Sequence, residues 1–427
     1  MGRPIIRSLL DLDLYKLTMS QLAWKMHPRA YVQFAFFKRT RSVNLPEVIP
    51  VQMLEEELRA AQKLRFTGEE LYYLRSLTFP SGQPMFESGF VDFLAGTRLQ
   101  DIGVEEDGNS FRIEVESWWP EVTLWETLVL SIVNELYNRR RLGALGYGRR
   151  APWNDGYRQL ESKISALKAS GIRDSLAPQC IVEFGTRRRF SYDWQRVVVA
   201  TMNSRLPDLF AGTSNVRLAM DHELRPVGTF AHEMDMVYSC RFGESDEEIR
   251  ASHQRMLADW WQYYGEPLSI ALTDTYGTES FFADFSAEQA RDWRGFRHDS
   301  GPWRPFGERV LEFYRRHGID PATKTIVWSD GLTAETILEI DRAFGRQIKC
   351  VYGWGTNLTD DFGPDALVKF GIRPLSIVMK VTETDGRATV KLSDNPAKAI
   401  GPAAEVERFK RIFGYNDAQY QLVECTY

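Results

Sequence analysis

The sequence predicts an α/β fold: an irregular, TIM-like α/β barrel joined to a mixed α+β sandwich domain formed from both chain ends. Three observations carry that prediction. A series of short apolar runs each ends in a polar or glycine-rich loop and leads into a helical segment. One long, mostly apolar helix precedes the series. Alternating, strand-like runs stand towards both ends of the chain.

In chain order, Asp11 to Trp24 carries helical periodicity through Leu12, Tyr15, Met19 and Leu22, whereas Tyr31 to Phe37 and Phe111 to Glu116 alternate as strands. From Val122 to Tyr137 the positions Val122, Trp125, Leu128, Val129, Ile132, Val133 and Leu136 recur at helical spacing. The basic run Arg139 to Arg141 suits the negative end of that helix dipole. The short runs follow: Cys180 to Phe184, Leu209 to Ala211, Val227 to Thr229, Ser269 to Leu272, Thr325 to Trp328 and Ile348 to Tyr352. Repeated strand, loop and helix indicate parallel strands and most economically a barrel, whose C-terminal rim is where an active site lies. Leu375 to Thr382 and Ala388 to Leu392 flank Thr384-Asp385-Gly386-Arg387, and Asp-Gly between two such runs is a strong hairpin signal. The patterns divide the chain into an α+β domain over residues 1–125, completed by 376–427, and a barrel over 126–375.

With 427 residues, 43% of them hydrophobic, the chain can bury a substantial core, and 53 basic against 58 acidic residues leave a net charge of -5. That balance excludes a general nucleic-acid footprint but leaves room for local arginine clusters that meet an anionic substrate. Cys180, Cys240, Cys350 and Cys425 form no metal-ligand spacing, the first residues do not read as a signal peptide, and no apolar run is long enough for a membrane span. A reduced, cytoplasmic protein is the expectation.

Three loops have small residues that let backbone N–H groups approach phosphate oxygens at a helix start: Gly212-Thr213-Ser214-Asn215, Ser329-Asp330-Gly331-Leu332 and Gly353-Trp354-Gly355-Thr356. Singly, each is better explained as a capped turn; their recurrence on successive barrel units points to phosphate. Arg187, Arg188 and Arg189 follow Val182-Glu183-Phe184-Gly185, where a guanidinium fork could hold a carboxylate or phosphate, though a solvated basic turn explains them equally well. In Phe296-Arg297-His298-Asp299-Ser300-Gly301, Arg297 and Asp299 could serve a phosphorylated sugar, the alternative being an exposed loop. A lone histidine is more often structural, but His232 in Gly228-Thr229-Phe230-Ala231-His232-Glu233 follows a short apolar run among the anion loops. An imidazole there can attack a phosphoryl group if a neighbour fixes the other nitrogen, and Glu233 and Asp274 are equal candidates for that neighbour. The remaining histidines show no metal spacing, and Trp118, Trp119, Trp260, Trp261 and Trp293 read as packing.

Taken in order, these segments resemble the nicotinate phosphoribosyltransferase family from about Ser8 to about Ala399. The match runs through Asp11 to Met19 (DLDLYKLTM), Val182 to Phe190 (VEFGTRRRF), Gly212 to Asn215, Gly228 to Glu233, Ala271 to Asp274, Arg297 to Gly301, Ser329 to Gly331 and Gly353 to Leu358, and is closest to the bacterial branch. The resemblance implies a type II phosphoribosyltransferase barrel that joins nicotinate to phosphoribosyl pyrophosphate, with ATP as co-substrate and Mg²⁺ bound to substrate. It implies that Tyr15 reaches into a neighbouring subunit's pocket and stacks on the pyridine ring, with Phe184 on the other face, which predicts a homodimer with shared sites. It also implies Arg187 on the phosphate or pyridine carboxylate, Arg297 and Asp299 beside base and ribose, Arg188 and Thr213 with the ribose and phosphates, and Ser329, Asp330, Gly331, Gly353, Gly355 and Thr356 around the 5′-phosphate. His232 is the histidine that ATP phosphorylates, with Glu233 and Asp274 beside it.

Ser214 stands where nicotinamide-using relatives have an aspartate, and a hydroxyl that donates to a carboxylate favours nicotinate. Two residues depart from the family pattern: Pro302 replaces a carboxylate after Gly301, and Trp354 is bulky for a phosphate loop. The rival readings are a nicotinamide- or quinolinate-using enzyme, a non-catalytic nucleotide-binding homologue, and a barrel aldolase or isomerase, which would need a lysine or carboxylate base at the rim, where the loops carry no lysine.

Overall fold

The computed structural model describes residues 3–172 and 175–420, so Cys425 and the last seven positions of the 376–427 segment lie outside the described residues. Eleven strands form two sheets among the described residues. In the first, β1 (Tyr31–Lys38), β2 (Gly103–Asp107), β3 (Ser110–Trp118), β10 (Ile377–Thr384) and β11 (Arg387–Ala388) run in the order β11-β10-β1-β3-β2. The second contains β4 (Ile181–Glu183), β5 (Phe210–Thr213), β6 (Ile270–Leu272), β7 (Gly295–His298), β8 (Thr325–Trp328) and β9 (Lys349–Trp354), in the order β5-β4-β9-β8-β7-β6.

The first sheet is antiparallel and joins distant parts of the chain: β1 pairs with β3 on one edge and with β10 on the other, setting Phe34 opposite both Val115 and Val381. Its alternating residues bury one face, as period-two patterning requires. Asp385 and Gly386, at φ 49° and 81°, make the two-residue turn between β10 and β11; positive φ at both positions is what Asp-Gly supplies in a tight hairpin.

The second sheet is parallel and carries helices between successive strands, and its strands are apolar and buried, as a sheet covered on both faces requires. The barrel is irregular because no ladder joins β5 to β6. Val227 to Thr229, expected as a strand, bridges that gap as extended chain: it touches β5 through one bridge, Thr213 to Pro226, and the Val227 N–H donates to the Thr213 carbonyl at 2.9 Å. Conversely, Gly295–His298 is a strand, so Arg297 projects from β7 rather than from an exposed loop.

The long central helix spans Trp125–Ala144, with the turn at Trp119–Val122 separate from it. It is buried over most of its length, and three of its polar side chains tie down the segment after β4: Ser131 donates to the Thr186 carbonyl, Asn134 to the Arg189 carbonyl, and Asn138 to the Phe190 carbonyl. The same core cluster runs through both sheets, while a smaller one sits under the helix Ala403–Phe413. Trp119, Trp260 and Trp293 are buried in packing, Trp118 is exposed, and Cys180, Cys240 and Cys350 are buried free thiols. No helix among the described residues is long and apolar enough to cross a membrane.

Candidate active site

A cavity of about 540 Å³ runs along the parallel strands, lined by Gln179, Leu268, Arg294 and Thr325 at their starts and by Asp299, Ser329 and Gly355 where they end, and Lys380 reaches it from the antiparallel sheet. It has an aromatic end and a histidine end.

The aromatic end is built on a junction between the N-terminal segment and β5. The Leu14 N–H donates to the Ser214 carbonyl at 2.8 Å and Asp13 bridges to Asn215, which seats the helix Leu14–Met26 against the barrel. Tyr15 thereby lines the cavity of its own chain, together with Phe184. The chain's own first helix starts at the barrel rim. Phe184 lies over Gly353, where a Cβ would come within 2.3 Å of the ring; Gly353 gives clearance to an aromatic side chain as well as lining the cavity. The Arg187 guanidinium stands 5.9 Å from the Tyr15 ring centre, 3.7 Å from Asp13 and 3.8 Å from Glu126. Its side chain is 32% exposed, and Arg188 lines the cavity next to it. Arg189 is instead wholly buried in an ion pair with Asp11 and holds the fold.

The hydroxyls of the Gly212 to Asn215 loop face inward. Ser214 lines the cavity, but its hydroxyl donates to Asp13 at 2.6 Å rather than being open to a ligand carboxylate. Thr213 is wholly buried and donates to Glu183 at 2.6 Å, and Asn215 caps the helix Val216–Asp221, so the expected contact of Thr213 with ribose or phosphate is replaced by a supporting role. Burial pushes the Glu183 carboxyl up to about 7 and raises that of Asp13, the latter opposed chiefly by Arg187.

Beneath this end lies a buried charge network that the sequence did not reveal. Glu126 contacts Lys16 at 2.5 Å and Lys380 at 3.2 Å, and Lys16 reaches Glu233 at 2.5 Å. Burial would raise the Glu126 carboxyl, but Lys16, Lys380 and Arg187 hold it well below the usual range. Glu233 also accepts from the Trp119 indole and the Thr123 hydroxyl, both at 2.6 Å. It is therefore committed to this network and does not meet the His232 ring, a correction to its expected catalytic role; sequence adjacency put its backbone beside His232 but sent its side chain to the other side of the helix start.

At the histidine end, His232 precedes the helix Glu233–Phe242 and is buried. Its Nε2 lies 3.0 Å from Asp299 and 3.8 Å from Asp274, and its Nδ1 lies 3.0 Å from the Thr275 hydroxyl. Burial, aided by the charge of Lys391, pushes the imidazole down to about 4 against the opposing pull of the two carboxylates, so it is neutral near pH 7. Asp299 is held well below the usual carboxylate range against burial, first by His232, then by Arg297 and Lys391. Asp274 lies behind the cavity wall, where it accepts from Ser300 at 2.5 Å and Ser393 at 3.2 Å and faces Lys391 at 3.7 Å. Ligand atoms of His232, Asp274 and Asp299 all lie within 4.8 Å of one another, close enough to hold a divalent cation.

Between the ends, Arg297 lines the cavity and donates to the Phe230 carbonyl at 2.7 Å. Ser329, Gly331, Gly355 and Thr356 also line it, and Ser329 donates to Asp299 at 3.0 Å. Asp330 turns away to an ion pair with Lys398 at 2.8 Å. Trp354 is wholly buried in the barrel wall and does not narrow the loop; Pro302 caps the start of the helix Trp303–Arg316. Lys380 lines the cavity from β10, its ammonium pushed down to about 8 by burial, against Glu126. Only a non-local strand pairing brings Lys380 here, so no local motif marks it.

Chemically, one end of the cavity offers an aromatic slot with a cation, and the other a neutral imidazole among carboxylates and lysines. The sequence pattern of the nicotinate phosphoribosyltransferase (NAPRTase) family matches residues 180–417, and that of the NAPRTase N-terminal domain matches residues 10–134. Among solved structures, a nicotinate phosphoribosyltransferase from Vibrio cholerae is 32% identical with a TM-score of 0.87, covering 98% of this chain and 97% of its own. One from Porphyromonas gingivalis is likewise 32% identical with a TM-score of 0.83, covering 96% of this chain and 100% of its own.

Proposed function

Because the chain belongs to the nicotinate phosphoribosyltransferase family, we propose that it joins nicotinate to phosphoribosyl pyrophosphate, forming nicotinate mononucleotide and pyrophosphate, and couples this to ATP hydrolysis through a phosphohistidine at His232. One observation carries the reading: a single cavity holds Tyr15, Phe184 and Arg187 at one end and His232, kept neutral, at the other. The aromatic pair sandwiches the pyridine ring and Arg187 meets its carboxylate. The ring nitrogen then attacks C1 of the ribosyl group as the bond to pyrophosphate breaks through an oxocarbenium-like state. Lys380 and Arg297 stabilise the departing anion, with Mg²⁺ entering as its bound counter-ion. His232 takes the γ-phosphoryl group of ATP, and its hydrolysis resets the site.

Nicotinate preference rests on Arg187 rather than on Ser214. The Asp13 carboxyl at the same end is the one observation that favours an amide ligand, and Arg187, nearer to solvent and positively charged, outweighs it. The homodimer with shared sites expected from Tyr15 is part of the same proposal. The deciding experiment is steady-state turnover with phosphoribosyl pyrophosphate and Mg²⁺, comparing nicotinate with nicotinamide, each with and without ATP. Turnover of nicotinate stimulated by ATP supports the reading; preference for nicotinamide, or nucleotide binding without turnover, overturns it.

A further inference from the structure

Glu126 stands in the first turn of the central helix, where the positive end of the helix dipole favours a carboxylate, and its side chain is buried behind the cavity wall. One oxygen, Oε2, lies 2.5 Å from the Lys16 ammonium and 3.5 Å from the Tyr15 hydroxyl. The other, Oε1, accepts from Lys380 at 3.2 Å and stands 3.8 Å from the Arg187 guanidinium. Tyr15, Arg187 and Lys380 all line the cavity, whereas Glu126 and Lys16 do not. Lys16 is wholly buried and its three N–H groups are taken by Thr123, Glu126 and Glu233, so it pins Glu126 and has none left for a ligand. Burial would raise the Glu126 carboxyl, but Lys16, Lys380 and Arg187 hold it ionised, well below the usual carboxylate range. Arg187 thus stands between two carboxyl groups at nearly equal distances, 3.7 Å from Asp13 and 3.8 Å from Glu126, both beyond hydrogen-bond reach. Drawn both ways, the guanidinium commits no N–H to either and keeps its fork for the cavity.

We propose that Glu126 is a positioning residue for both substrates: it counterbalances Asp13 so that Arg187 keeps its N–H fork for the pyridine carboxylate, and it anchors the Lys380 ammonium that meets the pyrophosphate. The identities of the two ligands rest on the proposed function; the balance of charges does not. Without Glu126, Arg187 is drawn onto Asp13 into the paired geometry that guanidinium and carboxylate favour, and those N–H groups are lost to a ligand. Lys380 responds differently. Burial pushes its ammonium down to about 8, Glu126 opposes that fall, and Arg187, Lys391 and Lys16 add to it. These groups face Lys380 from the central helix, the segment after β4, the segment after β11 and the helix Leu14–Met26 in turn. With Glu126 gone, the strongest influences that remain all disfavour the charge. The Glu126 carboxylate also repels an incoming anion, but Lys16 already meets its charge at 2.5 Å, so the loss of geometry outweighs the relief of repulsion.

Calorimetric binding to the full chain tests this in Glu126→Gln, Arg187→Ala, Lys380→Met and the two double variants that contain Glu126→Gln. Glu126→Gln should weaken nicotinate and Mg²⁺-pyrophosphate about tenfold each near neutral pH and change nicotinamide far less. The losses should not add. Glu126→Gln should cost no further nicotinate affinity once Arg187 is replaced, and no further pyrophosphate affinity once Lys380 is replaced, whereas a merely structural role gives losses that add in full. Should Glu126→Gln fail to fold, Glu126→Asp, which keeps the charge but draws it back by one methylene, should show the same non-additive pattern with smaller losses. Additive losses, or tighter nicotinate binding by Glu126→Gln, overturn the proposal. In ligand-free protein, Lys380 acetylation by acetic anhydride, followed against pH by mass spectrometry, should have its midpoint near 8 in the wild type and about one unit lower in Glu126→Gln. An unchanged midpoint overturns the anchoring of Lys380. A wild type that binds neither nicotinate nor pyrophosphate overturns the functional reading instead, and the acetylation midpoints still decide what Glu126 does for Lys380.

Discussion

The two ends of the cavity differ in how far their polar groups are already satisfied. At the aromatic end, Glu126 is held by Lys16 and Lys380, Ser214 donates to Asp13, and no buried side-chain atom of Asp13, Lys16, Glu126 or Ser214 lacks a partner among the described residues. Behind the histidine end, one oxygen each of Asp274 and Asp235 is buried without a hydrogen-bond partner, as is the Nε of Arg297 between the ends. Leaving a buried polar group unpaired costs on the order of 1–3 kcal/mol, so the fold concentrates that cost away from the aromatic end. The first end is a finished slot for a flat, singly charged ring; the second keeps unpaired carboxylate oxygens behind its wall, which call for a proton or a cation rather than for a phosphate.

The largest effect expected of that difference is at His232. His232→Ala should eliminate acid-labile phosphoprotein and ATP stimulation while leaving the unstimulated transfer; retained stimulation would break the division of labour between the ends. Arg187→Ala should raise the KM for nicotinate by roughly 10- to 100-fold, the worth of a charge-assisted contact, and change nicotinamide binding far less. Equal losses for both ligands would place the carboxylate elsewhere. Lys380→Met should raise the KM for phosphoribosyl pyrophosphate about tenfold. Because the Lys380 ammonium titrates at about 8, wild-type affinity for that anion should weaken as pH rises through 8, and the variant should lose this alkaline limb. A kinetic titration of each protein between pH 7 and pH 9 checks the sign. The smallest effect lies outside the cavity: Gly386→Ala, at φ 81°, should lower stability in denaturant unfolding by roughly 1 kcal/mol and leave both KM values unchanged.

What could be read from the sequence was local. Runs such as Thr325–Trp328 and the Asp385-Gly386 turn appear where residue type alone requires them, since a buried parallel strand is continuously apolar and a tight hairpin needs positive φ. β7 escaped because two of its four residues, Arg297 and His298, are polar: Arg297 faces the cavity, and His298 packs against Phe306 and Trp328. Val227 to Thr229 has the composition of a strand but no ladder on either side, since it spans the opening between β5 and β6. Around His232 the sequence suggested Glu233 and Asp274, whereas the ring nitrogens meet Thr275 and Asp299, which arrive from two other strand ends. Partners brought together by folding leave no spacing to detect.

The pairing of β1 with β10 brings together residues 31–38 and 377–384. During synthesis, the parallel sheet can be complete while β1 still shows an open edge, because its second neighbour is made only after β9. Lys380 and its contact with Glu126 arrive with that neighbour. A nascent protein in which β10 has not been made therefore lacks the Lys380 contribution to the cavity and exposes a strand edge that favours association and quality-control capture over a premature site.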